Sequence, residues 1–221
     1  MYLQITDRCN MHCEHCSFSC TAQGEDMSLE TFRNAKEYIL GDCLAIGGGE
    51  PTLHPMFWQI LGECLGTCGS VWLATNGSVD DIAIPLAAMA RKGVIGCALS
   101  QDDYHDPVSE EVLDAFYDGM QWDNGIRQYL PERGWQGSQV DLREIRDVSR
   151  NIGLRGRALE NELEGGDKCT CPELFIAPNG DVRGCACPDA PLFGNVNTEV
   201  HIPEGWEYGE CSREQEETVR A

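Results

Sequence analysis

Apolar positions along the chain alternate between short continuous runs and longer stretches with a helical period. Residues 2–5, with Tyr2, Leu3 and Ile5, predict a first strand that leads into a cysteine-rich loop. Residues 28–40 predict a helix: Ser28 suits the N-cap, and Leu29, Phe32, Ala35, Tyr38 and Ile39 share one face. Residues 43–46 read as a short buried strand running into Gly47-Gly48-Gly49-Glu50-Pro51. A helix over about 56–65 follows, then a strand over 71–74 that ends at Thr75-Asn76-Gly77. The next helix covers about 79–91, and a strand over 94–99 ends at Ser100-Gln101-Asp102-Asp103. After Pro107 a further helix is expected, with Val108, Val112, Leu113, Phe116 and Tyr117 as its core face.

Alternation of this kind predicts an α/β fold with a parallel sheet and helical crossovers. In barrels of that class the chemistry sits at the carboxyl ends of the strands. The cysteine loop, the glycine-rich Glu50 loop, Thr75-Asn76-Gly77 and the loop after Ser100 all fall there. Residues 121–137 show no clear period; 140–150 fit a helix or a strand plus turn, and 152–158 a final strand and its loop.

An acidic, glycine-containing stretch over 160–167 divides an expected core, 1–160, from a C-terminal region, 161–221, that ends in an acidic tail. In that region Cys169-Thr170-Cys171 and Cys185-Ala186-Cys187 flank two apolar runs joined by Asn179-Gly180. Asn-Gly between such runs is a hairpin signal, and the hairpin would bring the two cysteine pairs together.

The 13 cysteines cluster as close pairs, their number is odd, and no apolar leader precedes the first strand. These features favour metal-ligating thiols in a reducing, cytoplasmic protein over a disulfide framework. The longest apolar stretch, 82–90, contains Pro85 and is too short to span a membrane. A net charge of −21, from 37 acidic residues against 16 Lys and Arg, argues against nucleic-acid and anionic-membrane partners.

Cys9, Cys13 and Cys16 stand at C-x-x-x-C-x-x-C spacing in one loop. Three close thiolates leave one corner of an iron–sulfur cube open to a small molecule. Zinc would need a fourth donor such as His12, His15 or a distant residue. Glycines in Gly47-Gly48-Gly49 let backbone approach a ligand closely, and the Glu50 carboxylate can accept from an ammonium group. Together these motifs resemble the radical S-adenosylmethionine (radical SAM) enzymes, and the resemblance covers roughly residues 1–158.

It implies a partial (β/α)6 TIM-type barrel and a 4Fe–4S cluster on Cys9, Cys13 and Cys16. S-adenosylmethionine would then bind the open iron through its amino and carboxylate groups. Reductive cleavage would yield a 5′-deoxyadenosyl radical that abstracts a substrate hydrogen. By the same resemblance His15 lies near the adenine, and Gly48, Gly49 and Glu50 match the amino-binding motif. Ser100 and Asp102 match ribose or carboxylate contacts, Asn76 a frequent loop after the third strand, and Arg157 a late Gly-Arg-Ala segment beside the cofactor. The C-terminal region resembles a SPASM or twitch domain. That implies an auxiliary 4Fe–4S cluster, with zinc as the rival, on Cys169, Cys171, Cys185 and Cys187, with Cys211 as a substitute ligand.

The resemblance favours a peptide or protein substrate and an external electron donor such as flavodoxin or ferredoxin. A nucleoside or small-metabolite substrate, or a non-catalytic iron–sulfur or zinc protein, are the alternatives. Cys20 and Cys211 are candidate hydrogen donors; Cys43 and Cys97 read as small buried hydrophobes, and Cys64 and Cys68 as core packing. Arg143, Arg146, Arg150, Arg155 and Arg157 form a cluster that suits an anionic group or internal salt bridges, and His54, His105 and His201 read as structural.

Overall fold

A computed structural model of the chain describes residues 1–39, 43–118, 121–123, 126–128, 141–150, 152–165, 174–187, 190–204 and 206. Within them, strand β1 (Tyr2–Thr6) is followed by α1 (Leu29–Lys36), β2 (Cys43–Gly48), α2 (Phe57–Leu65), β3 (Ser70–Thr75), α3 (Asp80–Arg91), β4 (Gly96–Ser100) and α4 (Glu110–Tyr117). Ser28 caps α1 by accepting from the Thr31 amide at 3.0 Å, and Ser109 caps α4 through Val112 at 3.2 Å. Helix α2 buries Phe57, Ile60, Leu61 and Cys64, the i, i+3, i+4, i+7 stripe of a helix lying on a sheet.

Next come β5 (Gln121–Asp123), β6 (Ile126–Gln128), β7 (Arg143–Arg146), α5 (Arg157–Glu160), β8 (Phe175–Ile176), β9 (Asp181–Arg183) and β10 (Leu192–Asn195). All ten strands form one sheet in the order β10-β9-β8-β1-β2-β3-β4-β7-β6-β5. Its middle, from β8 to β7, is parallel throughout, and antiparallel hairpins flank it on both sides. Leu3, Ile5, Leu44, Ile46, Leu73, Leu99 and Ile145 from the strands share one core with Phe32, Ile60, Leu86, Val112 and Phe116 from the helices.

One sequence expectation changes here and one open alternative is decided. The final parallel strand is not 152–158 but Phe175–Ile176, which lies against the opposite side of β1 (Tyr2 opposite Phe175, Leu3 opposite Ile176). The C-terminal hairpin therefore continues the barrel sheet, and its Leu174, Ile176, Val182 and Phe193 join the same core. For 140–150 the second of the two expected forms holds, a strand followed by a short 3-10 turn over Val148–Arg150, so Arg143 and Arg146 point to opposite faces and do not share the face a helix would give them. Cys97 and Cys64 are buried as expected, whereas Cys43 opens β2 and is exposed. Among the described residues no helix is long and apolar enough to cross a membrane.

Candidate functional site

Parallel strands place all their carboxyl ends on one side, and there a cavity of ≈ 160 Å³ is lined by residues from five of them. The β1 end supplies the cysteine loop. That loop leaves and returns in register: the Cys9 amide donates to Thr21 O at 2.8 Å and Met27 N to Ile5 O at 2.8 Å. Cys9, Cys13 and Cys16 all line the cavity.

The β2 end is pressed against this loop. Gly49 N donates to Thr6 O and Glu50 N to Arg8 O, at 2.8 and 2.9 Å. A Cβ on Gly49 would stand 2.5 Å from Arg8 O and 2.9 Å from Cys9 Cβ. The glycine is thus required by chain-to-chain contact beneath the cysteines.

Glu50 is 1 % exposed and engaged by its own chain. Its Oε1 accepts from Thr52 N (3.1 Å), Thr52 Oγ1 (2.6 Å) and Thr75 Oγ1 (2.8 Å), and its Oε2 from Asn76 N (2.6 Å). Burial pushes its pKa up while these donors oppose the shift. The carboxylate ties the ends of β2 and β3 together, and this use of Glu50 was not legible in the motif.

At the β4 end Ser100 lines the cavity. Asp102 accepts from the Tyr104 amide (2.9 Å) and pairs with His105 Nδ1 (2.7 Å), while Oδ2 accepts from Val148 N (3.2 Å). His15 Nε2 stands 3.9 Å from Oδ2. Burial works against charge on His105, but the hydrogen bonds to Asp102 and Cys13 prevail and raise it to about 9. Burial likewise favours the neutral Asp102, yet His105 holds its carboxyl below the usual range. His15, depressed chiefly by burial, packs against the Tyr104 and His105 rings at 4.9 and 5.1 Å. His105, read from sequence as structural, lines the cavity; its spacing three residues after Asp102 was the available signal.

From β7, Arg146 lines the cavity with its guanidinium 5.3 Å from the Trp72 ring. The other arginines of the cluster whose side chains are described serve elsewhere. Arg143 is buried, forks onto Asp141 and donates to Ala115 O and Asp118 O at the end of α4. Arg155 donates to Cys187 Sγ at 3.3 Å. Arg157, expected beside the cofactor, grips the back of the cysteine loop: its guanidinium donates to Cys13 O (2.8 Å) and Cys20 O (2.6 Å), its amide to Cys16 O (2.9 Å).

Cys20 is 3 % exposed and is not among the cavity-lining residues. Its thiol donates to Cys16, which holds Cys16 down at about 5 and pushes Cys20 up. Burial foremost pushes Cys9 up to about 11. Cys185 and Cys187 are buried together, with the Cys187 amide donating to Cys185 Sγ at 3.5 Å. Cys169, Cys171 and Cys211 lie outside the described residues.

A family model described as the radical SAM superfamily matches residues 3–119, more than half of the chain. The chain belongs to the radical SAM superfamily. Among curated relatives, the mycofactocin maturase MftC of Mycobacterium tuberculosis is 28 % identical over 152 residues, covering 63 % of this chain and 36 % of MftC. The tungsten-containing aldehyde ferredoxin oxidoreductase cofactor-modifying protein of Pyrococcus furiosus is 32 % identical over 97 residues, 40 % of this chain and 27 % of that protein. The matched part thus spans about a third of these relatives' length. A solved structure of native anSMEcpe with bound AdoMet and Kp18Cys peptide superposes with a TM-score of 0.51 at 13 % identity, over 90 % of this chain and 78 % of that one. This likeness concerns the fold, the partial barrel of radical SAM proteins.

The donor set fits the superfamily's 4Fe–4S cluster. Among the described residues one group of three metal-ligating atoms falls within 4.8 Å of one another, that of His15, Asp102 and His105. Its closest pair is the 2.7 Å Asp102–His105 hydrogen bond, so the group reads as an ion pair beside an imidazole. Cys9, Cys13 and Cys16 line one cavity, three thiols that leave the fourth iron of a cube without a protein ligand.

Proposed function

We propose that this radical SAM chain reductively cleaves S-adenosylmethionine and abstracts a hydrogen atom from a peptide or protein substrate. The observation that carries the reading is convergence: three thiols, the glycine-rich β2 end, Ser100 and Arg146 meet around one cavity at the carboxyl ends of the parallel strands. Cys9, Cys13 and Cys16 would hold the 4Fe–4S cluster, which supplies the electron that breaks the sulfonium carbon–sulfur bond.

The chain's own groups bind and orient. Arg146 and Ser100 suit the carboxylate of the bound sulfonium amino acid, a charge-assisted pairing on the cavity wall. Backbone carbonyls at the β2 end suit its ammonium group, since the donors of Thr52, Thr75 and Asn76 already occupy Glu50. Tyr2 and Trp72 give the cavity apolar walls that keep water from a reactive centre.

A peptide substrate is supported by the bound peptide of the anSMEcpe structure, whose fold this chain shares. An external flavodoxin- or ferredoxin-type donor would supply the electron. A second metal site, an auxiliary cluster with zinc as its rival, is proposed on Cys185 and Cys187 with Cys169 and Cys171. It is supported by the burial of both described thiols and by the Arg155 guanidinium against Cys187, a setting that favours thiolate. Cys20, behind the loop, is set aside as a hydrogen donor.

The test is to reconstitute the protein with iron and sulfide anaerobically, add S-adenosylmethionine and a strong reductant, and quantify 5′-deoxyadenosine. Release that is abolished by Cys13→Ala is expected. A verified cluster-loaded sample that releases none would refute the catalytic reading.

A further inference from the structure

We propose that Asn76 is a positioning residue that sets the reduction potential of the cluster by donating an N–H···S hydrogen bond to Cys9. The inference rests on the reading above that Cys9, Cys13 and Cys16 hold the cluster.

An asparagine amide has one accepting and one donating end, and here its neighbours decide which is which. Oδ1 accepts from the Ser78 amide at 3.0 Å and pairs with the Ser78 hydroxyl at 2.6 Å. Nδ2 is therefore the end that faces the cysteine loop. It donates to Asn10 Oδ1 at 3.1 Å and to Cys9 Sγ at 3.9 Å. Asn10 closes the ring by donating from Nδ2 to Ser78 Oγ at 2.9 Å.

The backbone is held as firmly. Asn76 N donates to Glu50 Oε2 at 2.6 Å, and Gly77 N to Thr75 Oγ1 at 3.0 Å. Gly77 takes φ +73°, the left-handed turn conformation that glycine adopts without strain, and a Cβ there would stand 2.5 Å from Leu99 Cδ1. The carboxylate of the glycine-rich loop thus holds the residue whose side chain reaches the first cluster thiol. Cys9 Sγ also accepts from the Met11 amide at 3.5 Å, a donor fixed by the loop itself. Asn76 is the side-chain donor, and so the one that substitution can remove.

A hydrogen bond to a metal-bound thiolate withdraws electron density from sulfur and stabilises the more negative, reduced cluster. Taking the donor away lowers the midpoint potential. Asn76→Leu keeps the approximate shape and has no donor. Asn76→Asp keeps the acceptor for Ser78 and puts a negative oxygen where the donor was.

The experiment is a redox titration of the anaerobically reconstituted 221-residue chain without S-adenosylmethionine, followed by the electron paramagnetic resonance signal of the reduced cluster, with iron counted per chain. Both variants should shift the midpoint to more negative potential, Asn76→Asp further than Asn76→Leu. A purely structural role would lower iron content and leave the potential of the loaded fraction where it was. Equal midpoints in wild type and Asn76→Leu overturn the proposal. Should both Asn76 variants lose their iron, Asn76→Ser carries the test, since it is too short to donate to Cys9 Sγ, keeps a polar group facing the Ser78 amide and leaves every thiol in place. A negative shift in that variant supports the proposal and an unchanged midpoint overturns it. Wild-type protein that takes up no iron would refute the underlying cluster assignment, a failure seen before any midpoint is compared.

Discussion

Arg157→Met is the substitution whose effect can be worked furthest from the geometry. Arg157 is 6 % exposed, and its guanidinium spans two carbonyls of the cysteine loop, Cys13 O at 2.8 Å and Cys20 O at 2.6 Å. Hydrogen bonds to a charged group contribute about 1.5–3 kcal/mol each, so losing both costs the loop about 3–6 kcal/mol. A whole domain is stable by only about 5–15 kcal/mol. The loss falls on one segment, because Arg157 N still donates to Cys16 O and the sheet core is untouched. Local opening of the loop is therefore expected with the fold intact.

Amide hydrogen exchange on iron-free protein should show the Cys9 and Cys16 amides exchanging faster by about a hundredfold or more, since every 1.4 kcal/mol is about tenfold. Core amides of β2 and β3 should keep their protection, and iron bound after reconstitution should fall. Arg157→Lys should be intermediate, because one ammonium lacks the fork that reaches both carbonyls. Gly156→Ala should act in the same direction without removing the charge: φ is +52° there, and the added Cβ would stand 2.6 Å from Ser17 O. Loop amides that exchange at the wild-type rate in Arg157→Met would refute the clamp.

Two further outcomes are expected. Burial raises the Glu144 carboxyl above its ordinary 4.5, against the opposing Trp72 hydrogen bond, so folding favours the protonated form. Its contribution is fully present below 4.5 and is lost as pH rises through the folded value. Glu144→Gln should therefore stabilise the protein near pH 7.5 and give no gain near pH 4, measured by urea denaturation; equal effects at the two pH values would contradict the assignment. On the proposal that Cys185 and Cys187 hold a second metal, Cys185→Ala should remove it and leave the iron bound through Cys9, Cys13 and Cys16, about four fewer irons per chain if the second site is a cube, read by metal analysis of reconstituted protein. A lost zinc with iron unchanged would instead make that site a zinc site.

The sequence exposed the strand ends well because their signals are local. Leu3 and Ile5, Leu44 and Ile46, and Leu73 belong to short, mainly apolar runs, and each stops where a polar or glycine-rich loop starts. Ser28 announces a helix by a hydroxyl at the right offset. What failed or stayed open was set by distant partners. Phe175–Ile176 is too short to carry a period, and only its place beside β1 makes it a strand of the barrel. Over 140–150 the sequence left a helix and a strand plus turn both open, and pairing of β7 with β4 decides for the strand, sending Arg143 into the core and Arg146 to the cavity.

Glu50 shows the same limit inside a correctly located motif. From sequence, a carboxylate next to three glycines reads as a site for an ammonium ligand. In the fold, β2 and β3 are neighbours in register, Ile46 opposite Leu73, so their ends bring Glu50 within reach of Thr75 and Asn76. A buried carboxylate without donors would be costly, and the chain supplies them itself. The consequence is a division of labour: the glycines let β2 lie against the cysteine loop, and Glu50 fixes the turn that carries Asn76. Substituting Glu50 should therefore disturb the cysteine side of the cavity as well as the ligand side, a coupling that a simple ammonium receptor would not show.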